Sequence, residues 1–367
     1  MNIDFLAKRN VGLDFFRAII ILEGVLYHAS RSLPNGEYWY YLSPRQTPEI
    51  FVSLMYLIHS FRMEVFFFIS GLFSALILER KGNSFFLRNR LNRVLIPLIS
   101  AFLFIPGVMY IISLEISGGE VDLNNLFASY FYAHHLWFLI SLSAMSFLVP
   151  VKFNFMVAKL SRRLSLPSII ILMFFLGNSI FFIKYLLKDA NSSLSIIPVT
   201  LRFFVYYLAG FSLYVNRDKV TKYKQCKLMN AFTPLTISVI VMTLFYIVIH
   251  YKIEGVAKYI PVIISGLLSA TLSFWVVFFF EEMKIKPNKF IDGIINSALV
   301  IYIIHYPAVV SLSYYLDKII PKEASITYVF SNCAISIFIS FSFYLIIRKK
   351  PVLSAMFGLS EAKRNSK

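Results

Sequence analysis

The chain has 367 residues, of which 58% are hydrophobic and 17% aromatic, while only 15% are charged. The charged fraction lies well below the roughly 25% typical of soluble domains, so the composition excludes a soluble globular protein. The net charge of +17 is better explained by membrane topology than by nucleic-acid binding, because no basic patch lies in a soluble region. The two cysteines indicate neither a disulfide framework nor a metal site.

Apolar runs close to the ~20 residues of a spanning helix recur along the chain. Their length and number favour helices over the ~10-residue alternating strands of a membrane barrel. The predicted spans are 12–31, 49–78, 94–114, 126–150, 167–187, 196–215, 231–250, 260–280, 294–316 and 325–347. The sequence therefore predicts an all-α integral membrane protein with about ten spans. Its transmembrane domain would cover 1–350, followed by a basic cytoplasmic tail over 351–367.

The basic residues are distributed unequally between the two sides of the membrane. Most of the 36 Lys and Arg residues fall in the two termini, including Lys8 and Arg9, and in the segments 79–93, 151–166, 216–230 and 281–292. The positive-inside rule makes this side cytoplasmic. Both termini are therefore expected in the cytoplasm, in agreement with an even number of spans. The first run is too long and too charged for a cleaved signal peptide.

The first predicted helix carries three ionisable residues, Arg17, Glu23 and His28. Such groups are costly inside a bilayer unless they face a polar cavity or a partner. Arg17 and His28 differ by only about 20° around the helix and are ~16 Å apart along it, so they share one face. Glu23 points about 140° away from His28 and is expected to pair with a basic neighbour. The structural alternatives are a packing histidine at 28 and an Arg17 that snorkels to the headgroups.

The second predicted helix repeats this pattern in "HSFRMEVFFFISG", with Arg62 and Glu64 inside the span. An ion pair between helices is the structural alternative for these two residues. The following segment "FLRNRLNRVLIP" clusters Arg88, Arg90 and Arg93 at the cytoplasmic surface. Guanidinium groups bind phosphate well because their forked donors match its oxygens, although positive-inside bias alone would also produce such a cluster.

Two further segments place histidines near helix ends. "HHLWFL" puts His134 and His135 near the outer end of the fourth span, with Trp137 as an interface anchor. "NSALVIYIIHYP" puts His305 inside the ninth span, with Tyr302 one turn before it and Pro307 expected to kink the helix just beyond. Taken singly, each histidine is more often structural than catalytic.

In combination, these motifs resemble the membrane acyltransferase type 3 family. The resemblance rests on Arg17-x10-His28, "EVFFFISG", the arginine cluster before Pro97, "HLWFL" and "SALVIYIIHYP", in this order through the whole chain. "LDFFRA", "HSFRM" and "HLWFL" look most like the glucan biosynthesis protein C branch, and the family also includes O-antigen O-acetyltransferases. Glu23 and Glu64 depart from that branch, where uncharged residues are expected.

The resemblance implies a multi-pass enzyme of the bacterial inner membrane that moves an acyl group from cytoplasmic acyl-coenzyme A to a carbohydrate hydroxyl of the cell envelope. His28 would be the general base, because a sugar hydroxyl needs one at neutral pH. Glu23, Glu64 or His305 would orient it. The resemblance also implies residues that bind the two substrates. Those expected to bind the acyl-coenzyme A donor are Arg17, Arg62, Arg88, Arg90 and Arg93. Those expected to bind the carbohydrate acceptor are His135, Trp137 and Tyr302.

No permanently bound cofactor or metal is expected; acetyl- or succinyl-coenzyme A is the co-substrate. The expected partners are the lipid bilayer, the donor and the envelope carbohydrate, with no nucleic acid, and a homodimer is compatible with the sequence. The alternative function is a transporter or flippase for an envelope glycan or small anion, since charges inside spans also fit that class. A purely structural subunit would leave those charges unexplained. The acyl group, the acceptor and any acyl-enzyme intermediate stay open.

Overall fold

The computed structural model describes residues 10–34, 39–186, 196–283 and 285–359. These ranges are almost entirely helical and contain no β-strand, which confirms the predicted all-α class. The basic residues Lys8 and Arg9 and the end of the predicted tail, 360–367, lie outside the described residues.

Fourteen α-helices occur in the described ranges. In chain order they are α1 Val11–Ser30, α2 Glu49–Arg90, α3 Ile96–Ser117, α4 Leu123–Ser129, α5 Trp137–Phe147, α6 Val151–Ser161, α7 Leu166–Leu186, α8 Ile196–Val215, α9 Val220–Lys224, α10 Phe232–His250, α11 Ile260–Glu282, α12 Lys289–Ile319, α13 Ser325–Ile347 and α14 Pro351–Met356.

The structure supports fewer spans than the ten predicted. Among the described residues, seven helical stretches are long and apolar enough to cross a membrane, or up to eight if the bent pair Leu123–Phe147 and Val151–Ser161 forms one span. Two of the predicted spans fall within the single stretch Glu49–Ser117. Helix α1 is not among the seven, and it carries three charged residues, Asp14, Arg17 and Glu23. The number ten and the cytoplasmic termini stay predictions.

The predicted span 126–150 is not one continuous helix. Helix α4 ends at Ser129, a single 3-10 turn covers His134–Leu136, and α5 begins at Trp137. His134 has a φ of 43°, in the left-handed region that non-glycine residues rarely adopt. An apolar run reveals length and burial but not such a break, because backbone dihedrals leave no mark in hydropathy.

The chain divides into two compact units. Unit 1 comprises Met1–Ile20, Glu49–Leu87 and Ala144–Ile291, and unit 2 comprises Ile21–Pro48, Arg88–Ser143 and Asp292–Lys367. The first half of α1 thus belongs to unit 1 and its second half to unit 2.

In unit 1, helices α2 and α8 approach each other through two glycines. A Cβ atom on Gly71 would overlap the carbonyl group of Tyr207, and one on Gly210 would overlap that of Phe68. Small residues allow such close backbone packing between membrane helices. Helix α1 of the same unit is preceded by Asn10, whose side-chain oxygen accepts from the Leu13 N–H at 2.9 Å, as an N-cap residue does.

In unit 2, the buried carboxylate of Asp317 near the end of α12 binds the loop that follows α1 through hydrogen bonds. It accepts hydrogen bonds from Tyr41 Oη at 2.6 Å and Arg45 Nε at 3.0 Å, and from Ser43 Oγ and Lys322 Nζ. Burial, and then the hydrogen bond to Asp317, raise the pKa of Tyr41 far above its ordinary value. Tyr41 therefore remains a donor to Asp317 at any physiological pH.

The same network fixes Arg45. Its side chain is fully buried, its guanidinium lies 4.3 Å from the ring centroid of Tyr328 on α13, and it donates to the carbonyl oxygens of Ile320 and Pro321. Because these buried donors of Arg45 find acceptors, the second half of the loop 39–48 is held firmly to the α12–α13 end of unit 2.

Candidate active site

His28 lies near the end of α1 within a group of aromatic rings from unit 2. Its ring is stacked on Trp39, with centroids 5.9 Å apart and planes 12° from parallel. The ring of Tyr306 meets it edge-on at 5.1 Å, and that of His305 lies 5.4 Å away. His28 is half-buried, whereas Trp39, His305 and Tyr306 are buried. We call these four residues, together with His135, the aromatic cluster.

The neighbouring His305 has a defined tautomer. Its Nδ1 atom lies 3.0 Å from the carbonyl oxygen of Ile301 on the same helix. Because a carbonyl can only accept, Nδ1 must carry the proton in this hydrogen bond. In the neutral ring, Nε2 is then the unprotonated nitrogen. A histidine fixed in this way presents a basic nitrogen to its surroundings.

His135, from the turn before α5, also contacts helix α12 next to His305. Its ring stacks on Tyr306 at 4.6 Å and lies 5.3 Å from that of His305. Its Nε2 atom is 3.1 Å from the carbonyl oxygen of Ile303. Pro307 has no N–H, so this carbonyl, four residues before the proline, lacks its usual helical donor. The histidine supplies the missing hydrogen bond, and α12 continues through Pro307 to Ile319.

Tyr302 and Trp137 are the other two residues predicted from the sequence to bind the carbohydrate acceptor. The buried Tyr302 donates its hydroxyl hydrogen to the carbonyl oxygen of His135, and its ring packs against Phe138 at 5.2 Å. Trp137 is half-buried at the start of α5. Together, the bonds from His135 and Tyr302 hold the turn His134–Leu136 on α12 and fix the aromatic cluster.

Two residues of the aromatic cluster, Trp39 and Tyr306, and two residues next to it, Tyr40 and Arg31, were not predicted from the sequence. Trp39 and Tyr40 lie in an irregular loop, where there is no helical spacing of polar residues to indicate a functional site. The Tyr40 hydroxyl is 2.7 Å from His134 Nδ1, and Arg31 lies with its guanidinium carbon 5.4 Å from the ring centroid of Trp39. Tyr306 directly follows His305, and this adjacency was the only signal available for it.

Three buried polar atoms beside the cluster have no hydrogen-bond partner among the described residues: Trp39 Nε1, His134 Nε2 and His135 Nδ1. Buried polar groups are normally paired, so these atoms offer two ring nitrogens and one indole N–H to a polar ligand. Within the described part of the chain, no group of three His, Cys, Asp or Glu side chains has the geometry to hold a metal ion.

The two acidic residues predicted for the site, Glu64 and Glu23, lie in different units of the chain. Glu64 belongs to unit 1 and is buried there, with its Oε1 atom 2.7 Å from Arg202 Nη2 of α8. This ion pair links α2 to α8, as the structural alternative for Glu64 required, and it identifies Arg202 as a partner. Glu23 belongs to unit 2 and is half-buried on α1.

The predicted donor-binding arginines are divided between the units. In unit 1, Arg62 is 4% exposed, and the Arg17 guanidinium lies 4.7 Å from the ring centroid of Phe66. With Arg202 these residues place three guanidinium groups along a few turns of α1, α2 and α8 in unit 1, where the carboxylates of Glu64 on α2 and Asp14 on α1 also lie.

In unit 2, the cluster Arg88, Arg90 and Arg93 lies where α2 passes into α3. The stretch α2 is interrupted a few residues beyond the predicted span by a kink at Gly82, whose φ of 77° and ψ of 175° are not helical. A second helical segment then leads to Arg90, and a π-helical turn, Leu91–Leu95, follows. Arg88 and Arg93 are exposed, whereas Arg90 is buried. Single π-helical turns within helices are frequent at functional sites.

Comparison with known proteins shows which family and which proteins the chain is similar to. A family model described as an acyltransferase domain matches residues 10–345. Proteins named Glucans biosynthesis protein C from Escherichia coli O1:K1, O139:H28 and O157:H7 are each 32% identical over 149 residues, which is 38% of this chain and 38% of theirs. The aligned part thus spans well under half of these relatives. No solved structure is significantly similar to the chain.

Proposed function

The chain belongs to the acyltransferase domain family, and from this premise we propose that it is an O-acyltransferase of the bacterial inner membrane. It transfers an acetyl or succinyl group from cytoplasmic acyl-coenzyme A to a hydroxyl of an envelope carbohydrate. The names of the partial relatives, which concern glucan biosynthesis, support a carbohydrate acceptor. An O-antigen, an exopolysaccharide and a periplasmic glucan are the acceptors to compare.

His28 is the general base of the proposed reaction. The half-buried His28 ring is reachable from outside the protein, while its neighbours are buried. In direct transfer, His28 takes the proton of the sugar hydroxyl, the oxygen forms its bond to the thioester carbon, and the carbon–sulfur bond breaks. The proton then passes from the imidazolium to the departing thiolate. A positioned base of this kind contributes about 10²- to 10⁴-fold in rate.

His305 is the group that positions His28 in this mechanism. Its ring centroid lies 5.4 Å from that of His28, and its bond to Ile301 fixes which nitrogen faces away from the helix backbone. Glu23, on the same helix as His28, is the second candidate for this positioning role. Glu64 instead supports the arginines of unit 1 through Arg202.

The acceptor is proposed to bind against the aromatic cluster. Trp39 and Tyr306 provide flat apolar surfaces. The buried atoms Trp39 Nε1, His134 Nε2 and His135 Nδ1, which have no hydrogen-bond partner among the described residues, provide hydrogen bonds for hydroxyl groups. Sites of this kind combine aromatic walls with a few well-placed polar groups. His135, Tyr302 and Trp137 shape the wall from α5 and α12.

The donor is proposed to bind through arginines that match its phosphates. The arginines proposed for this purpose are Arg88, Arg90 and Arg93 of unit 2. Arg17 and Arg62 of unit 1 are the alternative donor-binding residues. Hydrogen bonds to charged groups are worth roughly 1.5–3 kcal/mol each, but exposure and salt reduce this value for Arg88 and Arg93.

The observation that carries the proposal is the meeting of His28, His305 and His135 in one aromatic cluster in a chain of this family. Mass spectrometry of envelope glycans from cells with and without the gene tests it. An acyl substituent that disappears with the gene and returns with the wild-type gene, but not with His28→Ala, is the expected result. Glycans with unchanged acylation but altered amount or location would instead indicate transport.

Donor use is tested with purified protein and acyl-coenzyme A carrying a radioactive acyl group. Label should appear on the glycan acceptor, and the double variant Arg88→Gln/Arg93→Gln should bind a non-hydrolysable donor analogue about 10-fold or more weakly. Lys222→Gln/Lys227→Gln, which removes the same charge from exposed sites of unit 1, is the matched control. Equal binding by both double variants would remove the cluster from the donor site.

A further inference from the structure

A deep apolar groove lies within unit 2, apart from the aromatic cluster. It has a volume of about 560 Å³ and is formed by α3, α12, α13 and α14. Its walls include Phe104 of α3, Ala308 of α12, Phe343 of α13, and Leu353 and Phe357 at α14. On α12, Ile304 and Ala308 face the groove from one side of the helix, while His305 lies about 100° away around the axis.

The short helix α14 closes one end of this groove and is firmly attached there. The rings of Phe357 and Phe104 have centroids 5.9 Å apart. Gly358 follows with a φ of +65°, and a Cβ at this position would come within 2.8 Å of Pro97. The left-handed glycine lets the chain press against the start of α3, so the closed end is a built feature of the fold.

Three basic residues lie at the same end. Ile346 and Ile347 of α13 line the groove, and Arg348, Lys349 and Lys350 follow them immediately and are exposed. The site therefore joins an apolar channel along a membrane-spanning helix to a positive surface at the end of that helix. This is the charge and polarity pattern of an amphiphile with one apolar chain and an anionic head.

We propose that this groove is a binding site for an anionic phospholipid. One acyl chain lies along α12 and α13 between Ala308 and Phe343, and the headgroup phosphate is bound by Arg348, Lys349 and Lys350. The chain is held by van der Waals packing against the groove walls, because it leaves an environment that is already apolar. Basic residues near the headgroups select anionic lipids at roughly 1 kcal/mol each. The site holds the α13–α14 corner and does not depend on the proposed catalytic activity.

Native mass spectrometry of the full-length protein in non-ionic detergent tests the proposal. Delipidated protein is titrated with phosphatidylglycerol and, separately, with phosphatidylcholine of the same acyl chains. We expect tighter binding of phosphatidylglycerol, with about 5-fold preference lost for each basic residue neutralised. The triple variant Arg348→Gln/Lys349→Gln/Lys350→Gln should therefore bind both lipids alike.

Matched variants separate the groove from the general lipid surface. Ala308→Trp fills the groove and should lower phosphatidylglycerol binding more than 10-fold, as should the milder Ser311→Phe. Ile171→Trp, on an exposed apolar position of α7, and Lys152→Gln/Lys222→Gln/Lys227→Gln in unit 1 should bind like the wild type. Equal affinities for the two lipids, or full binding by both groove variants, would overturn the proposal. So would displacement of phosphatidylglycerol by an equal concentration of palmitoyl-coenzyme A, since the groove would then be a donor site.

Discussion

His135 Nε2 lies 3.1 Å from the carbonyl oxygen of Ile303, the acceptor that Pro307 deprives of its helical N–H donor. His135, from a turn distant in sequence, thus supplies the hydrogen bond that Pro307 in the middle of α12 cannot donate. An unpaired buried carbonyl costs about 1–3 kcal/mol, so the histidine offsets the cost of the proline. The same bond places the His135 ring against Tyr306 and His305 in the aromatic cluster.

This relationship predicts a coupling between the two residues. His135→Phe should lower the free energy of unfolding by about 1–3 kcal/mol, because the Ile303 carbonyl loses its donor. In a Pro307→Ala background, the helix supplies an N–H again, so His135→Phe should cost measurably less. Thermal unfolding of the four proteins in detergent gives the coupling energy as a double-mutant cycle. A cycle with no coupling would mean that His135 contributes only by packing.

His28→Ala should lower the rate of acyl transfer about 10²- to 10⁴-fold with little change in donor affinity, because it removes a group needed mainly in the transition state. His250→Ala, at a half-exposed histidine paired with Glu49 in unit 1, is the control and should retain full activity. Glycan acylation and binding of a donor analogue are measured on the same preparations. Normal turnover by His28→Ala would remove His28 from the mechanism.

His305→Asn separates positioning from packing. Asparagine can keep a donor near the Ile301 carbonyl but has no atom equivalent to Nε2. If His305 positions His28 through Nε2, kcat should fall while KM and the melting temperature stay close to the wild-type values. A fall in melting temperature without a change in kcat would mark His305 as structural.

Asp317→Ala should be strongly destabilising, by about 3–5 kcal/mol, because it leaves the buried Arg45 guanidinium without its counter-charge. The double variant Asp317→Leu/Arg45→Met should be less destabilised than Asp317→Ala, since both buried charges are removed. Glu323→Ala, an exposed acidic residue close by in sequence, should change stability by less than about 0.5 kcal/mol. Thermal unfolding measures all three variants; a double variant no more stable than Asp317→Ala would contradict the pairing.

Gly71→Ala and Gly210→Ala should each destabilise unit 1 by about 1–3 kcal/mol or more, because the added methyl group forces α2 and α8 apart. Gly293→Ala is the matched control: a Cβ there meets no atom within 4 Å, and alanine favours the helix by up to about 1 kcal/mol. Expression level and melting temperature report the difference. If Gly71→Ala melted like Gly293→Ala, the close approach of the two backbones would be wrong.

The orientation in the membrane is tested by cysteine labelling after Cys226 and Cys333 have been replaced by serine. A membrane-impermeant reagent should modify a cysteine at Leu42 in intact cells and one at Asn83 only after lysis. Both positions are exposed, so accessibility within the protein does not limit the reaction. The reverse pattern would contradict the positive-inside assignment and the proposed side of donor entry.

The sequence by itself determined the helical class, the membrane setting and the acyltransferase family. Hydrophobic length and charge bias are properties of the chain alone, and the ordered motifs around Arg17, His28, His135 and His305 carried the family resemblance that the family comparison confirmed. The sequence also singled out Glu64 as a charge that needs an explanation, because an acid in an apolar helix is costly wherever that helix packs.

Only the tertiary structure decided which of these residues meet. Glu64 pairs with Arg202 of α8, and Trp39 and Tyr40 lie beside the histidines although they come from a loop without periodicity. The break at His134 and the continuation of α12 through Pro307 depend on hydrogen bonds between distant segments, which hydropathy does not encode. A side chain's partner is set by the packing of whole helices, and packing depends on the shape of every residue along the contact.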